Sequence, residues 1–308
     1  MKSLCRAEGH WPRQSSRYDY LDSFFVCLSV TTRCNQNCYY CDTCDNTKED
    51  HPLEHFEQIV HNVYEHIDKD KYLMYIYGGE PTLYAHLKDL VGYIRATAHT
   101  ETVIEVQTNG TADMELYESM KHLDVRFRLS YQQHQVDHSS FVKKADRLHS
   151  MNLLAGIDFL LERNIPATIE AIKEFFTKPY KDGIVLNPID SSYNKVKEYD
   201  SFVKNSSDDQ MQLVFTDGSK EIVSKHKFVE DYGLSFKFWN CYAGKNGLII
   251  SCNGDIYYCL SHKHYMTVPV CNILNTGDVE KFKRAAANPI KCLWDRCICE
   301  LWFRKERG

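Results

Sequence analysis

Between Phe24 and about Asp190, short apolar runs alternate with amphipathic stretches six times, and this alternation leaves few folds open to the chain. Phe25 to Thr31, Tyr72 to Tyr77, Thr102 to Thr108, Val125 to Ser130, Leu154 to Leu160 and Gly183 to Pro188 read as strands. The stretches between them carry three-and-four apolar spacing. It is clearest in Leu53, Phe56, Val60, Val63, Tyr64 and Ile67, and again in Leu83, Leu87, Leu90, Val91 and Ile94. Asn164, followed by Ile165 and Pro166, reads as a helix start. Helix aromatics such as Tyr64 and Phe175 read as core. Consecutive β-α units predict an α/β fold around a parallel sheet.

After Pro188 the pattern changes. Residues 191–207 lose the apolar period and read as a linker or lid. Met211 to Thr216, Asp217-Gly218 and Lys220 to Val223 then predict a hairpin, as do Leu248 to Ser251, Asn253-Gly254 and Ile256 to Cys259. The 308 residues, 43% of them hydrophobic, suit one large domain with an appendage. The expected division is an N-terminal extension over 1–22, a β-α domain over 23–190, a linker or lid with the first hairpin over 191–235, and a C-terminal unit over 236–308.

The chain has thirteen cysteines, none of them between Cys44 and Cys241. Tight cysteine groups in an intracellular chain more often bind metal or do catalysis than form a disulfide framework. Cys34, Cys38 and Cys41 stand three and then two residues apart, directly after the first strand. Three soft thiolates in one loop favour an iron-sulfur cluster, and a cubane held by only three leaves one iron open. Tyr77-Gly78-Gly79-Glu80-Pro81 closes the second strand, Gln107-Thr108-Asn109-Gly110 the third, and Arg128-Leu129-Ser130-Tyr131 the fourth.

In this order and at these intervals the motifs resemble the radical S-adenosylmethionine (radical SAM) superfamily, with Tyr40 as the aromatic before the third cysteine. The resemblance implies a partial (β/α)6 TIM-like barrel with its chemistry at the carboxyl ends of the strands. It implies that Cys34, Cys38 and Cys41 hold a [4Fe-4S] cluster whose open iron binds S-adenosylmethionine (SAM). An electron then cleaves SAM to methionine and a 5'-deoxyadenosyl radical, which abstracts hydrogen from the substrate. By the same resemblance Tyr40 lies near adenine, Gly78, Gly79 and Glu80 near the methionine amine, and Asn109 and Ser130 on the cofactor, Ser130 near its ribose. A flavodoxin or ferredoxin would supply the electron.

The later cysteines, Cys241, Cys259, Cys292, Cys297 and Cys299, flank the second hairpin and fill the C-terminal end. They resemble the auxiliary-cluster appendage called twitch or SPASM, a small hairpin-plus-helix unit. Cys271 takes the place of a structural residue in a Val270 to Ile273 run. Gaps of four and one residues between Cys292, Cys297 and Cys299 depart from that pattern. The favoured set is Cys241, Cys259, Cys297 and Cys299, with Cys292 as an alternative. Zinc is the competing reading at both groups, using Cys44 as a fourth ligand at the first and a zinc ribbon at the second. Cys5, Cys27, Cys44 and Cys252 otherwise read as small buried hydrophobes.

Period-two alternation puts Glu105, Gln107, Arg126, Arg128 and Asp158 on the strand face shared with Ser130, facing SAM. They suit a polar or zwitterionic substrate, or else an internal Glu105 ion pair with Arg128 or Arg126. Tyr131, Gln132 and His134 follow as loop candidates for the same site. The expected substrate is peptide, amino-acid-like or a small polar molecule, although only about 20 residues precede the first strand for a leader-binding domain. A nucleoside or nucleic-acid base is the alternative substrate, and an Fe-S or zinc redox sensor or scaffold the non-enzyme alternative. A formal charge of -5 and a pI near 6.3 give no global nucleic-acid signature, though a local basic groove stays open. Without a membrane-length apolar run or a signal-peptide core, a cytoplasmic protein is expected.

Overall fold

The structure is a computed structural model that describes residues 2–10, 23–41, 44–161, 165–188, 210–224, 228, 231–233, 235–266, 268–295, 297 and 304–307. The linker or lid expected over 191–207, Cys299 and the helix-start residue Asn164 lie outside the described residues.

Six parallel strands carry the large unit: β2 (Phe24–Thr31), β3 (Lys71–Gly78), β4 (Glu101–Thr108), β5 (Val125–Tyr131), β6 (Leu154–Leu161) and β7 (Ile184–Pro188). They pair in sequence order. Between them run α1 (Leu53–His66), α2 (Leu87–Thr97), α3 (Met114–Ser119), α4 (His138–Ser150) and α5 (Ile165–Phe175). This is the expected α/β fold, a parallel sheet of the partial (β/α)6 barrel type, with β7 at its outer edge.

Strand alternation divides the interior in two. Phe24, Val26 and Leu28 of β2 pack with Phe56, Ile59, Val60 and Val63 of α1 in the core beneath the helices. Phe25 and Cys27, on the opposite face, join Leu73 and Tyr75 of β3 in a second core. Full burial of each such large side chain contributes roughly 1.5–3 kcal/mol.

The second core is closed by a smaller sheet. It is built from β1 (Leu4–His10), β8 (Gln210–Phe215), β9 (Lys220–Ser224), β10 (Asn240–Cys241), β14 (Ile290–Lys291) and β15 (Lys305–Glu306), in the order β14-β10-β15-β1-β8-β9. Met211, Leu213 and Phe215 of β8 meet Phe25 and Leu73 in that core. Within the stretch 1–22, read from sequence as an extension, β1 is a central strand of this sheet, antiparallel to both β8 and β15.

Both hairpins form. The second is also part of the large sheet: β11 (Gly247–Ile250) runs parallel to β2, while β12 (Asp255–Tyr257) and β13 (Cys271–Asn272) continue the sheet antiparallel. Two further helices, α6 (Leu260–Tyr265) and α7 (Val279–Ala287), complete the unit. The appendage is thereby bonded along the edge of β2, the strand that leads into the three-cysteine loop. No helix among the described residues is long and apolar enough to cross a membrane.

Candidate active site

The loop carrying Cys34, Cys38 and Cys41 is held by backbone and amide contacts. Gly79 N donates to Thr31 O at 2.8 Å and Glu80 N to Arg33 O at 2.7 Å, so the end of β3 is bonded along the start of the loop. The glycines are there because a side chain would not fit. A Cβ at Gly78 would lie 2.3 Å from Thr31 O, and one at Gly79 2.2 Å from Arg33 O. Cys34 N donates to Asn46 Oδ1 at 2.8 Å, Asp45 N to Thr32 O at 2.8 Å, and Cys41 N to Cys38 O at 3.0 Å. Arg33 pairs with Asp50 at 3.0 Å.

Glu80 braces this arrangement from below. Its carboxylate is 1% exposed and accepts from Thr82 N at 3.0 Å, Thr82 Oγ1 at 2.6 Å, Thr108 Oγ1 at 2.7 Å and Asn109 N at 2.6 Å. The end of β3 is thereby tied to the end of β4. Asn109 carries the tie onward, since its Nδ2 donates to Asn35 Oδ1 at 2.9 Å and its Oδ1 accepts from Thr111. Expected as cofactor contacts, Glu80 and Asn109 spend their side chains on positioning the cysteine loop, and the signal that sequence reading missed is its pair of asparagines, Asn35 and Asn46.

Replacing Gly79 with alanine is expected to displace the loop, because the obstruction is backbone rather than a flexible side chain. The destabilisation should be about 1–3 kcal/mol, as for overpacking. A thermal melt and the iron content after anaerobic loading, both lower than wild type, check this.

The thiols are accessible from the mouth of the sheet. Cys34 and Cys38 are half-buried and Cys41 is exposed. Burial pushes the Cys34 thiol up from its ordinary pKa, against a lowering by the Gln36 backbone N–H. Cys44, read from sequence as outside any ligand spacing, lies near enough to Cys34 to act on it electrostatically. The Tyr40 ring centroid stands 5.1 Å from that of Tyr39 and 6.0 Å from that of His134, which brings His134 to the same loop.

Inside the sheet, Arg128 Nε donates to Glu105 Oε1 at 2.5 Å, with both side chains fully buried. Asp158 lies 3.6 Å from Arg128 Nη1. Room for the guanidinium comes from Gly156, where a Cβ would lie 2.8 Å from Arg128 Nη1. Glu105 and Arg128 are thus paired with each other, the internal ion pair of the two expected roles rather than the substrate one, since a buried charge is stable only when paired. Arg126 stays half-buried on the same face, and Gln107 Nε2 donates to Ser130 Oγ.

Tyr131 is also corrected. One residue after Ser130, it points to the helix side, 1% exposed, stacked 4.6 Å from Phe159, with its hydroxyl 2.8 Å from His138 Nδ1.

Cys241, Cys259, Cys292 and Cys297 are buried in one apolar core, the one that joins the two sheets. Ala243 N donates to Cys241 Sγ and His262 N to Cys259 Sγ, each at 3.4 Å, and Lys305 Nζ lies 3.1 Å from Cys241 Sγ. Burial pushes the Cys292 thiol up, and Cys241 and Cys297 are near enough to add to the effect. Cys271 stands apart in the other core, where burial raises it to about 11, in keeping with a structural place. Among the described residues no three His, Cys, Asp or Glu side chains are gathered as a metal-holding group. The donor chemistry at both cysteine groups nonetheless fits iron: soft thiols, backbone N–H groups aimed at sulfur, and at the second group a neighbouring ammonium.

A cavity of about 430 Å³ opens beside the cysteine loop, between the ends of β2 and β3 and the appendage. Cys252, expected to be a buried hydrophobe, is half-buried on its wall.

Residues 28–176 match the Radical SAM superfamily. Among solved structures, native anSMEcpe with bound AdoMet and Kp18Cys peptide is similar in fold, with a TM-score of 0.57 and 16% identity over 84% of this chain and 80% of that one. Histidine-tagged anSMEcpe with bound AdoMet is similar at a TM-score of 0.60 and 15% identity, covering 86% and 82% of the two chains. No curated protein matches the chain by sequence.

Proposed function

We propose that the radical SAM domain of residues 28–176 makes this chain an enzyme that cleaves SAM reductively and abstracts hydrogen from a peptide or amino-acid-like substrate. One observation supports this most strongly: a three-thiol loop is clamped at the carboxyl ends of parallel strands by Gly79, Glu80, Asn109 and Asn35. Cys34, Cys38 and Cys41 would hold a [4Fe-4S] cluster with one iron left for SAM. When bound and given one electron by a flavodoxin- or ferredoxin-type partner, that pair supplies the cleavage of SAM to methionine and a 5'-deoxyadenosyl radical.

The protein's residues bind and orient. The backbone of Gly78 to Glu80, bonded along the loop, would meet the methionine end, Tyr40 would meet adenine, and Ser130, whose oxygen accepts from Gln107, would donate its hydroxyl proton to ribose. Arg126, half-buried on the inner face, would suit the acidic group of a zwitterionic or peptide substrate. Cys241, Cys259, Cys297 and Cys299, with Cys292 as the alternative fourth ligand, would hold an auxiliary cluster of the twitch or SPASM kind that passes electrons to or from the substrate.

Anaerobic loading with iron and sulfide, followed by SAM and dithionite, tests the reading. About eight irons per chain and accumulation of 5'-deoxyadenosine are expected, falling to about four irons when Cys241 and Cys259 are both serine. Iron without any 5'-deoxyadenosine would leave only the redox-sensor alternative.

A further inference from the structure

The cavity beside the cysteine loop has a lysine ammonium in its wall. Ser29 and Thr31 of β2, Tyr77 of β3, Cys252 beyond β11, and Lys263 and His264 of α6 form most of its wall, and among the described residues no Asp or Glu lines it. Lys263 Nζ donates to the Tyr77 hydroxyl at 2.9 Å and lies 5.2 Å from that ring's centroid. Burial holds Tyr77 well above its ordinary pKa, so this partner is a neutral phenol. Asp50, which accepts from the Thr31 hydroxyl, is already paired with Arg33. Among the described residues Lys263 therefore has no anionic partner. Ser29, 5% exposed, lines the same cavity.

A half-buried ammonium whose contact is a neutral phenol is matched by an anion. The geometry points to this cavity as the seat of a carboxylate on the substrate, with Lys263 balancing its charge and Ser29 and Tyr77 donating hydrogen bonds. One ammonium balances one negative charge, which suits a carboxylate. Thr32, two residues before Cys34, also lines the cavity, so a substrate anchored here lies beside the cysteine loop. Naming the ligand as substrate rests on the radical SAM reading, and it carries that reading further, to a substrate held by an acid terminus or side chain.

The other carboxylate in the system belongs to SAM, and the test separates the two. N-acetylglycine and N-acetylglycinamide are titrated against the cluster-loaded protein by saturation-transfer NMR, and SAM affinity is measured alongside. The acid should bind and the amide should not. Lys263→Met should weaken the acid about tenfold or more, the size of a lost charge-assisted hydrogen bond. Lys263→Arg should retain most of the binding, and SAM affinity should be unchanged in both variants. Equal binding of acid and amide, wild-type binding by Lys263→Met, equal loss in both variants, or a fall in SAM affinity with Lys263→Met would each overturn the assignment. Failure of the wild-type protein to cleave SAM would instead sink the radical SAM reading and leave the binding result standing.

Discussion

Serine at position 34, 38 or 41 is expected to reduce 5'-deoxyadenosine formation to background and to remove about four irons per chain, the content of one cubane. The fold should survive, because the loop is held by Gly79, Glu80, Asn35 and Asn46 through backbone and amide groups rather than through sulfur. Thermal melts of the metal-free variants should therefore match metal-free wild type. Cys44→Ser supplies the contrast. Cys44 is close to Cys34, yet a three-thiolate cubane has no use for it, whereas a closed zinc site would. Retention of iron and of SAM cleavage in Cys44→Ser is the expected result, and loss of metal there would favour zinc.

Arg128→Met is expected to be the most destabilising single change within the sheet. It would leave Glu105 fully buried without its cation, with Asp158 facing the same space. Breaking a buried pair in this way costs about 3–5 kcal/mol, whereas replacing both partners by apolar residues is often nearly neutral. The double variant Glu105→Met with Arg128→Met should accordingly recover much of what Arg128→Met loses, as measured by denaturant unfolding. If Arg128 served the substrate instead, the single variant would fold normally and lose only activity.

Six strands and their helices were legible because each strand carries an apolar run on at least one face and pairs with its sequence neighbour, so local periodicity was enough. Strand β1 was not: Leu4–His10 is a mixed run whose pairing with β8 and β15 depends on chain some two hundred and three hundred residues away. The attachment of β11 to β2 was hidden for the same reason, although the hairpin itself was visible in its Asn253-Gly254 turn. At the site, the three cysteines could be read from spacing alone. Glu80 could not, because an acidic residue after two glycines gives no sign that four donors will converge on it from β4 and the following turn. Tyr131 was avoidable, since strict alternation from Ser130 already turned it toward the helices. Lys263 became visible only once α6 was packed against Tyr77.

The most direct test is low-temperature electron paramagnetic resonance of the dithionite-reduced protein with and without SAM. Cys241 and Cys259 are both serine in the sample, so that only the N-terminal cluster contributes. A reduced-cubane signal that changes when SAM is added, and that disappears with Cys38→Ser, is the predicted result. A signal indifferent to SAM, or one that persists without Cys38, would contradict an open iron held by Cys34, Cys38 and Cys41.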